Sequence, residues 1–322
     1  MNRLTKLLNI KYPIIQGGMG NISNAPLTAA VSEAGGLGTI GAGTMTPEEL
    51  DDIILQTKSM TNKPFSVNVA IKVTPYLDEI VELLLKREVP VVTLSAGNPE
   101  PYIKRFHAAG AKVLTVVGAV KHAKKAEAAG TDAVIAEGYE AAGINSNYEN
   151  TTMTLIPQIA DQVKVPVVAA GGIADGRGLA AALMLGAEGV QIGTRFIATK
   201  EAPFSEAYKR RILDASDVDT VIVGRSVNRV RRVMKTPYAK KLIEMERGDF
   251  SLEQFNEWTS EKYHKIGALE GNFEEGFING GQISGLIKDI PSVPELMERM
   301  ICEALEASKA ISQLKESRFS HA

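Results

Sequence analysis

The chain has 322 residues, 44% of them hydrophobic and 23% charged, which is enough to bury one large core and a smaller appendage. Its formal net charge of -2 supplies no basic field for nucleic acid or an anionic membrane, and we expect neither as a partner. The sequence contains no run of about eighteen apolar residues, and its first residues lack an apolar signal core. We therefore expect a cytoplasmic protein.

The single cysteine, Cys302, has no partner for an internal disulfide, which fits a reducing compartment. It lies in the helical-looking stretch Leu296–Ala310, where a small apolar side chain packs readily. We expect a buried, unreactive thiol.

Short β-branched or apolar runs alternate along the chain with segments of helical periodicity. The candidate strands are Pro13–Met19, Gly36–Gly43, Pro64–Ile71, Val91–Gly97, Lys112–Gly118, Ala133–Gly138, Pro166–Ile173 and Gly189–Ile197. The candidate helices between them are Pro47–Ser59, Val73–Arg87, Glu100–Ala109, Val120–Ala129, Met153–Gln162 and Gly178–Leu185. This alternation predicts a parallel (β/α)8 TIM barrel with its site at the carboxyl ends of the strands. An open doubly wound sheet is the alternative, but Gln16–Gly20 lacks the glycine spacing of a dinucleotide fingerprint.

The character of the chain changes after the eighth predicted strand. Residues 200–266 are charged and helix-prone and hold the only tryptophan, Trp258. We expect a small helical cover subdomain over the mouth of the barrel. The barrel would then comprise residues 1–199 and 267–322, with a final amphipathic helix over Val293–Lys315.

Glycines follow the last two predicted strands of the barrel. Ala170, Gly171 and Gly172 follow the seventh strand, and Gly193 and Thr194 follow the eighth. In such barrels these positions bind phosphate through free backbone amides and a hydroxyl. The pair predicts a phosphorylated cofactor; the alternative is that the glycines only relieve crowding at the strand ends.

Two polar residues end strands that are otherwise apolar. The amide of Asn68 offers a donor and an acceptor to a cofactor ring, and the carboxylate of Glu137 can accept from a hydroxyl or a ring nitrogen. A structural asparagine and a carboxylate that caps Gly138 remain alternatives. Because Glu137 is the only strand-end residue suited to a metal, we expect no metal site.

A set of motifs in fixed order resembles the family of FMN-dependent nitronate monooxygenases and FMN-type enoyl-acyl-carrier-protein reductases, over essentially the whole chain. The motifs are Gln16–Met19, Ala34–Gly38, Lys63–Asn68, Ala96–Pro99, Ala136–Gly138, Ala169–Ile173, Gly193–Phe196 and Gly280–Gln282. The resemblance implies an FMN phosphate on Gly171, Gly172, Gly193 and Thr194. It also implies an isoalloxazine ring near Gly18, Met19, Asn68 and Gln282, with Glu137 on the ribityl chain.

One position departs from the family pattern. Members of the family usually carry an active-site histidine in the loop after the sixth strand, and Ile144 occupies that position here. The other histidines do not replace it: we expect His107 and His122 on outer helices and His321 in a terminal tail, each solvated or packing. We expect His264, in the cover, to be a solvated or packing histidine as well.

The missing histidine bears on the reaction. A neutral nitroalkane must lose a carbon-bound proton, whereas a nitronate has already lost it and could be held by Asn145 or by backbone amides. Reduction of an enoyl thioester needs a proton, which Tyr148 or water could supply, and NADH or NADPH as the reductant. We expect a nitronate monooxygenase; an enoyl-acyl-carrier-protein reductase and a non-catalytic flavin-binding protein are the alternatives.

A basic stretch in the predicted cover offers a further cue. Five cations lie within eleven residues: Arg225, Arg229, Arg231, Arg232 and Lys235. They could receive the phosphates of an acyl thioester carrier or of a nicotinamide cofactor. The alternative is a solvated helical face paired with Glu244, Glu246 and Asp249.

We also expect a homodimer.

Overall fold

The computed structural model describes residues 2–319, and the side chains described are those of residues 2–309 and 313. The strands are β1 (Ile14–Gln16), β2 (Gly38–Gly41), β3 (Phe65–Ala70), β4 (Val91–Ser95), β5 (Lys112–Val117), β6 (Ala133–Glu137), β7 (Gly143–Ile144), β8 (Val167–Ala170), β9 (Gly189–Ile192), β10 (Thr220–Val223) and β11 (Arg231–Met234). The helices are α1 (Arg3–Leu8), α2 (Ala25–Glu33), α3 (Pro47–Met60), α4 (Leu77–Lys86), α5 (Glu100–Ala108), α6 (Val120–Ala129), α7 (Thr152–Ala160), α8 (Gly176–Met184), α9 (Thr194–Ile197), α10 (Glu206–Leu213), α11 (Pro237–Glu246), α12 (Leu252–Trp258), α13 (Glu261–Ala268) and α14 (Val293–Phe319).

Eight parallel strands form a closed barrel, in the order β1-β9-β8-β6-β5-β4-β3-β2. A parallel bridge between Ile15 and Leu37 joins β1 to β2 and completes the ring. The strands are almost entirely buried because side chains fill the barrel on one face and helices cover the other. The predicted (β/α)8 barrel is confirmed, and the carboxyl ends of its strands form what we call the mouth.

The strands are shorter than the sequence predicts, because the glycines at their ends leave the ladder. The eighth predicted strand, Gly189–Ile197, stops at Ile192, and α9 begins one residue after Gly193. The helix predicted from Val73 starts at Leu77, since Pro75 disfavours helical geometry in the residue before it. The helices α1 and α2 carry no prediction from the sequence.

The segment over the mouth is not purely helical. The helices α10 to α13 are accompanied by an antiparallel hairpin of β10 and β11, to which β7 adds a third strand from the barrel loop. Val223, Val233, Leu242, Phe255 and Phe277 form a separate small core under this sheet. The three-stranded sheet therefore ties the loop after β6 to the cover.

The helix α14 packs on α8 and on the barrel through Leu296, Met297, Met300 and Ala304. Cys302 falls on the opposite side of this apolar stripe and is exposed, so the expectation of a buried thiol is wrong. His321 lies outside the described residues. Among the helices that the structure does describe, none combines the length and apolarity needed to cross a bilayer.

Candidate active site

The turns after β8 and β9 present unpaired backbone amides to the mouth. Gly171 and Gly172 adopt positive φ values of 87° and 75°, in the left-handed region that favours glycine. The N–H groups of Gly172, Gly193 and Thr194 donate no hydrogen bond within residues 2–319. A Cβ on Gly193 would meet no atom within 4 Å. Together with Ala170 beneath them, these residues form an amide cradle with room for an anion.

The segment Gly280–Gln282 lies beside this amide cradle. The backbone N–H of Gly281 donates to the Thr194 hydroxyl at 3.1 Å, and the N–H of Gln282 donates to the carbonyl of Glu140 at 3.0 Å. The side chain of Gln282 is exposed. The structure thus brings Gln282 to the mouth, as the resemblance implies.

The turn after β1 folds over the end of β3. A Cβ on Gly18 would lie 2.8 Å from the Cβ of Asn68, so only glycine fits at this position. The Asn68 Oδ1 accepts from the Ser95 hydroxyl at 3.2 Å, and the N–H of Met19 donates to the Ser23 hydroxyl at 3.2 Å. Gly18, Met19 and Asn68, the expected ring contacts, are therefore brought close together.

Glu137 ends β6 next to the amide cradle, paired in register with Ala170. Its carboxylate makes no hydrogen bond with the side chains or backbone of the described residues. Burial raises the pKa of Glu137 to about 7. A desolvated carboxyl without a protein donor can accept a hydrogen bond from a ligand hydroxyl. The resemblance implies such a bond between Glu137 and the ribityl chain.

The loop after β7 carries the two expected catalytic residues in different surroundings. The Asn145 Nδ2 donates to the carbonyls of Ala141 at 2.9 Å and Gly143 at 3.2 Å, while its Oδ1 is buried without a donor. Tyr148 is exposed at the rim, with the Lys121 Nζ 4.6 Å from its ring centroid. A catalytic role for either residue stays a prediction.

Ile144, Arg231 and Asn279 share one face of the three-stranded sheet, which we call the mouth face. Val223 and Val233 lie on this face too and pack into the small core. Arg231 pairs with Ile144, and Val233 pairs with Asn279. Directly paired residues and residues two apart on a strand point to the same side of a sheet. Arg232 consequently points the other way.

The Arg231 guanidinium lies 5.0 Å from the Phe277 ring centroid and makes no hydrogen bond or ion pair within residues 2–319. Burial lowers its pKa, and the negative charge of Glu261 opposes this. The mouth face therefore carries, beside Ile144, a half-buried guanidinium without a hydrogen-bond or ion-pair partner among the described residues.

Of the two alternatives expected for His264, solvated or packing, the structure shows a packing histidine, which is also hydrogen-bonded at both nitrogens. Its ring is 2% exposed and stacks on Phe277 with a centroid distance of 5.1 Å. The Nδ1 lies 3.3 Å from the Glu261 Oε2, and the Nε2 lies 3.1 Å from the Asn279 Nδ2. Sequence reasoning missed Glu261 and Asn279; the three-residue spacing of Glu261 and His264 on one helix was the available signal.

The other histidines hold the expected places on outer helices. His107, on α5, bonds Asp132 at 2.8 Å, and His122, on α6, lies against Tyr148. Within residues 2–319, no three His, Cys, Asp or Glu side chains cluster as metal ligands.

The basic stretch is a turn and a strand, so the helical-face interpretation is wrong. Arg225 pairs with Glu149 at 2.8 Å, and Arg232, 3% exposed, donates to the Tyr139 carbonyl at 2.9 Å. The remaining members, Arg229 and Lys235, are exposed. The expected partner Glu246 instead accepts from the backbone of Gly224 and Ser226 at 3.0 and 2.8 Å.

A closed barrel with unpaired backbone amides and polar strand-end residues at a covered mouth is the architecture of a cofactor-dependent barrel enzyme. The nitronate monooxygenase family model matches residues 1–80 and 75–303, and the chain belongs to this family. It is thus an oxidoreductase.

Three similar proteins cover nearly the whole chain. FabK from Thermotoga maritima is 42% identical with a TM-score of 0.93, over 98% of this chain and 99% of its own. A (3aS,4S,5R,7aS)-5-hydroxy-7a-methyl-1-oxo-octahydro-1H-indene-4-carboxyl-CoA dehydrogenase of Mycobacterium tuberculosis (strain ATCC 25618 / H37Rv) is 35% identical over 97% of this chain and 98% of its own. A probable nitronate monooxygenase of Staphylococcus saprophyticus is 33% identical over 94% and 98%.

Proposed function

We propose that the protein is an FMN-dependent oxidoreductase that oxidises alkyl nitronates. The residues present fit FMN: the amide cradle has room and donors for one phosphate, Glu137 lacks a donor, and Gly18 lets the turn after β1 pack directly against Asn68. When bound, FMN would take electrons from the substrate and pass them to oxygen. The chain's own residues would hold the substrate anion against the ring and exclude water.

The observation that carries this proposal is the guanidinium of Arg231, which lies on the mouth face without a hydrogen-bond or ion-pair partner among the described residues. A half-buried guanidinium without a partner carries a desolvation cost, and an anionic ligand reduces that cost. A nitronate is a small planar anion whose two oxygens match the fork of a guanidinium.

The loop beside Arg231 supports the same substrate. Ile144 is 48% exposed and provides no base where the family histidine is expected. A nitronate needs no base because its carbon has already lost the proton. A neutral nitroalkane does, so we expect its turnover to be slower by about two to four orders of magnitude.

Substitution of Arg231 tests the proposal against a control on the same hairpin. Loss of a charge-assisted hydrogen bond is worth about 1.5–3 kcal/mol, so Arg231→Met should lower kcat/KM for ethyl nitronate by roughly tenfold to a hundredfold. Arg229→Met removes an exposed cation and should leave kcat/KM unchanged. Equal kinetics for the two variants would show that Arg231 does not hold the substrate.

A second candidate is reduction of an enoyl thioester by NADH or NADPH, favoured by the similarity to FabK and to the coenzyme A thioester dehydrogenase. In this reaction Tyr148 or water would supply the proton, and exposed Arg229 and Lys235 would receive phosphates of a carrier or nicotinamide cofactor. Flavin reduction by NADH or NADPH should then depend steeply on salt concentration, and reversal of both charges should weaken it. The same reversal should leave nitronate turnover unchanged. We retain a homodimer in the cytoplasm as part of the proposal, and the mass of the purified protein in solution tests the dimer.

A further inference from the structure

Glu261, His264 and Asn279 form a hydrogen-bonded row that ends on the mouth face. Glu261 begins the row against the turn after β1, with its Oε1 2.9 Å from the position of a Cβ on Gly20. His264 occupies the centre, sealed from solvent by the Phe277 ring. Asn279 ends the row, and its side chain lies 3.9 Å from the position of a Cβ on Gly143. The row thus spans the two loops that border the expected ring and the expected histidine position.

The backbone of Asn279 is fixed, so only its carboxamide can turn. The bridge to Val233 holds the chain on one side, and the Tyr208 hydroxyl donates to the Asn279 carbonyl on another. The Nδ2 faces His264, and the Oδ1 is buried without any donor among the described residues. A buried acceptor left unpaired costs about 1–3 kcal/mol.

The charge of His264 decides which end of this carboxamide points away from the imidazole, toward Gly143. A neutral imidazole that donates from Nδ1 to Glu261 accepts at Nε2 from the Asn279 Nδ2, which leaves the Oδ1 outward. A protonated imidazole donates from Nε2, so the carboxamide turns, the Oδ1 accepts, and the Nδ2 faces outward. Protonation therefore exchanges an outward acceptor for an outward donor and leaves the Oδ1 satisfied.

The neighbouring asparagine does not have this freedom. The Asn145 Nδ2 is held by two backbone carbonyls, so the orientation of its carboxamide is fixed. Of the two carboxamides beside Gly143, only that of Asn279 can change its orientation with the charge of His264.

We propose that Asn279 is an oxyanion-binding residue of the mouth face, and that Glu261 and His264 are positioning residues that turn its carboxamide. The inference rests on the proposed function, in which the substrate is a nitronate anion. With His264 protonated, the Asn279 Nδ2 and the Arg231 guanidinium both present donors to the two oxygens. The charged groups around His264 are Glu261 on its own helix and Arg231 beyond Phe277, and the Asn21 N–H caps the Glu261 carboxylate at 3.5 Å.

Binding of propionate tests the inference without turnover. Propionate has the shape and charge of ethyl nitronate, but it does not undergo the oxidation proposed for the nitronate. In calorimetric titrations of the purified protein, affinity should fall as pH rises. Asn279→Leu should weaken binding about tenfold at low pH, the equivalent of one hydrogen bond, and bind with little pH dependence. His264→Gln should lose the dependence that His264 confers, whereas the control His107→Gln, in the outer-face pair with Asp132, should retain it.

Three outcomes would overturn the inference: wild-type affinity for propionate in Asn279→Leu, an unchanged pH profile in His264→Gln, or no propionate binding by the wild type. Should Asn279→Leu fail to fold, the isosteric Asn279→Asp serves, since a carboxylate facing the anion must weaken binding. Nitronate turnover is scored separately. If propionate binds as expected but nitronate is not turned over, the proposed function is wrong and the oxyanion site is supported. If nitronate is turned over but propionate does not bind as expected, only the oxyanion site is wrong.

Discussion

Stability of the flavin-free protein should depend on pH through Glu137. The folded state raises the pKa of this carboxyl from 4.5 to about 7 by burial. Between these values the folded protein holds a proton that the unfolded chain has released, so the free energy of unfolding decreases as pH rises. At about 1.4 kcal/mol per pH unit, the full effect is roughly 3 kcal/mol.

Urea unfolding at pH 5 and pH 7.5 measures this effect by difference. About 2.4 kcal/mol of the decrease falls between these two pH values; Glu137→Gln cannot ionise and should lose most of it, becoming the more stable protein at the higher pH. Glu306→Gln, at an exposed position of α14, should behave as the wild type. Parallel pH slopes for wild type and Glu137→Gln would refute the desolvated position of the carboxyl and, with it, the expected hydrogen bond to the ribityl chain.

The remaining predictions concern the amide cradle, the loop and the thiol. Gly193→Leu should fold normally, because a Cβ there meets no atom within 4 Å, yet bind no FMN, because the side chain fills the phosphate position; Gly248→Leu, at another uncrowded glycine, should keep its flavin absorbance. Ile144→His should raise turnover of neutral nitroalkanes more than that of nitronates, since only the former need a base, and an equal gain on both would contradict this. Cys302 should react with a maleimide in the folded protein at a rate near that of a free thiol, and protection until unfolding would contradict its exposure.

The barrel and the amide cradle are predictable from the sequence because both are local signals. Each strand is a short apolar run, and the glycines at 171, 172 and 193 follow their strands directly. The sequence predicts strands that are too long because apolar residues continue past the point where the backbone leaves the ladder, as at Phe196 and Ile197 in α9.

The mouth face is not predictable in the same way. It joins Ile144, Arg231 and Asn279, which lie far apart in the chain, through strands of two to four residues. The clustered arginines obscure the period of two in β11, so the segment resembles a charged helix. Only the pairing register shows that Arg231 and Arg232 point to opposite sides.

Anaerobic mixing of the purified protein with ethyl nitronate, NADH and NADPH in separate experiments tests the central claim most directly. The proposal predicts that nitronate bleaches the visible flavin absorbance within the time of a turnover and that readmitted oxygen restores it. Bleaching by NADH or NADPH, with no response to nitronate, would contradict the proposal and assign the protein to thioester reduction instead.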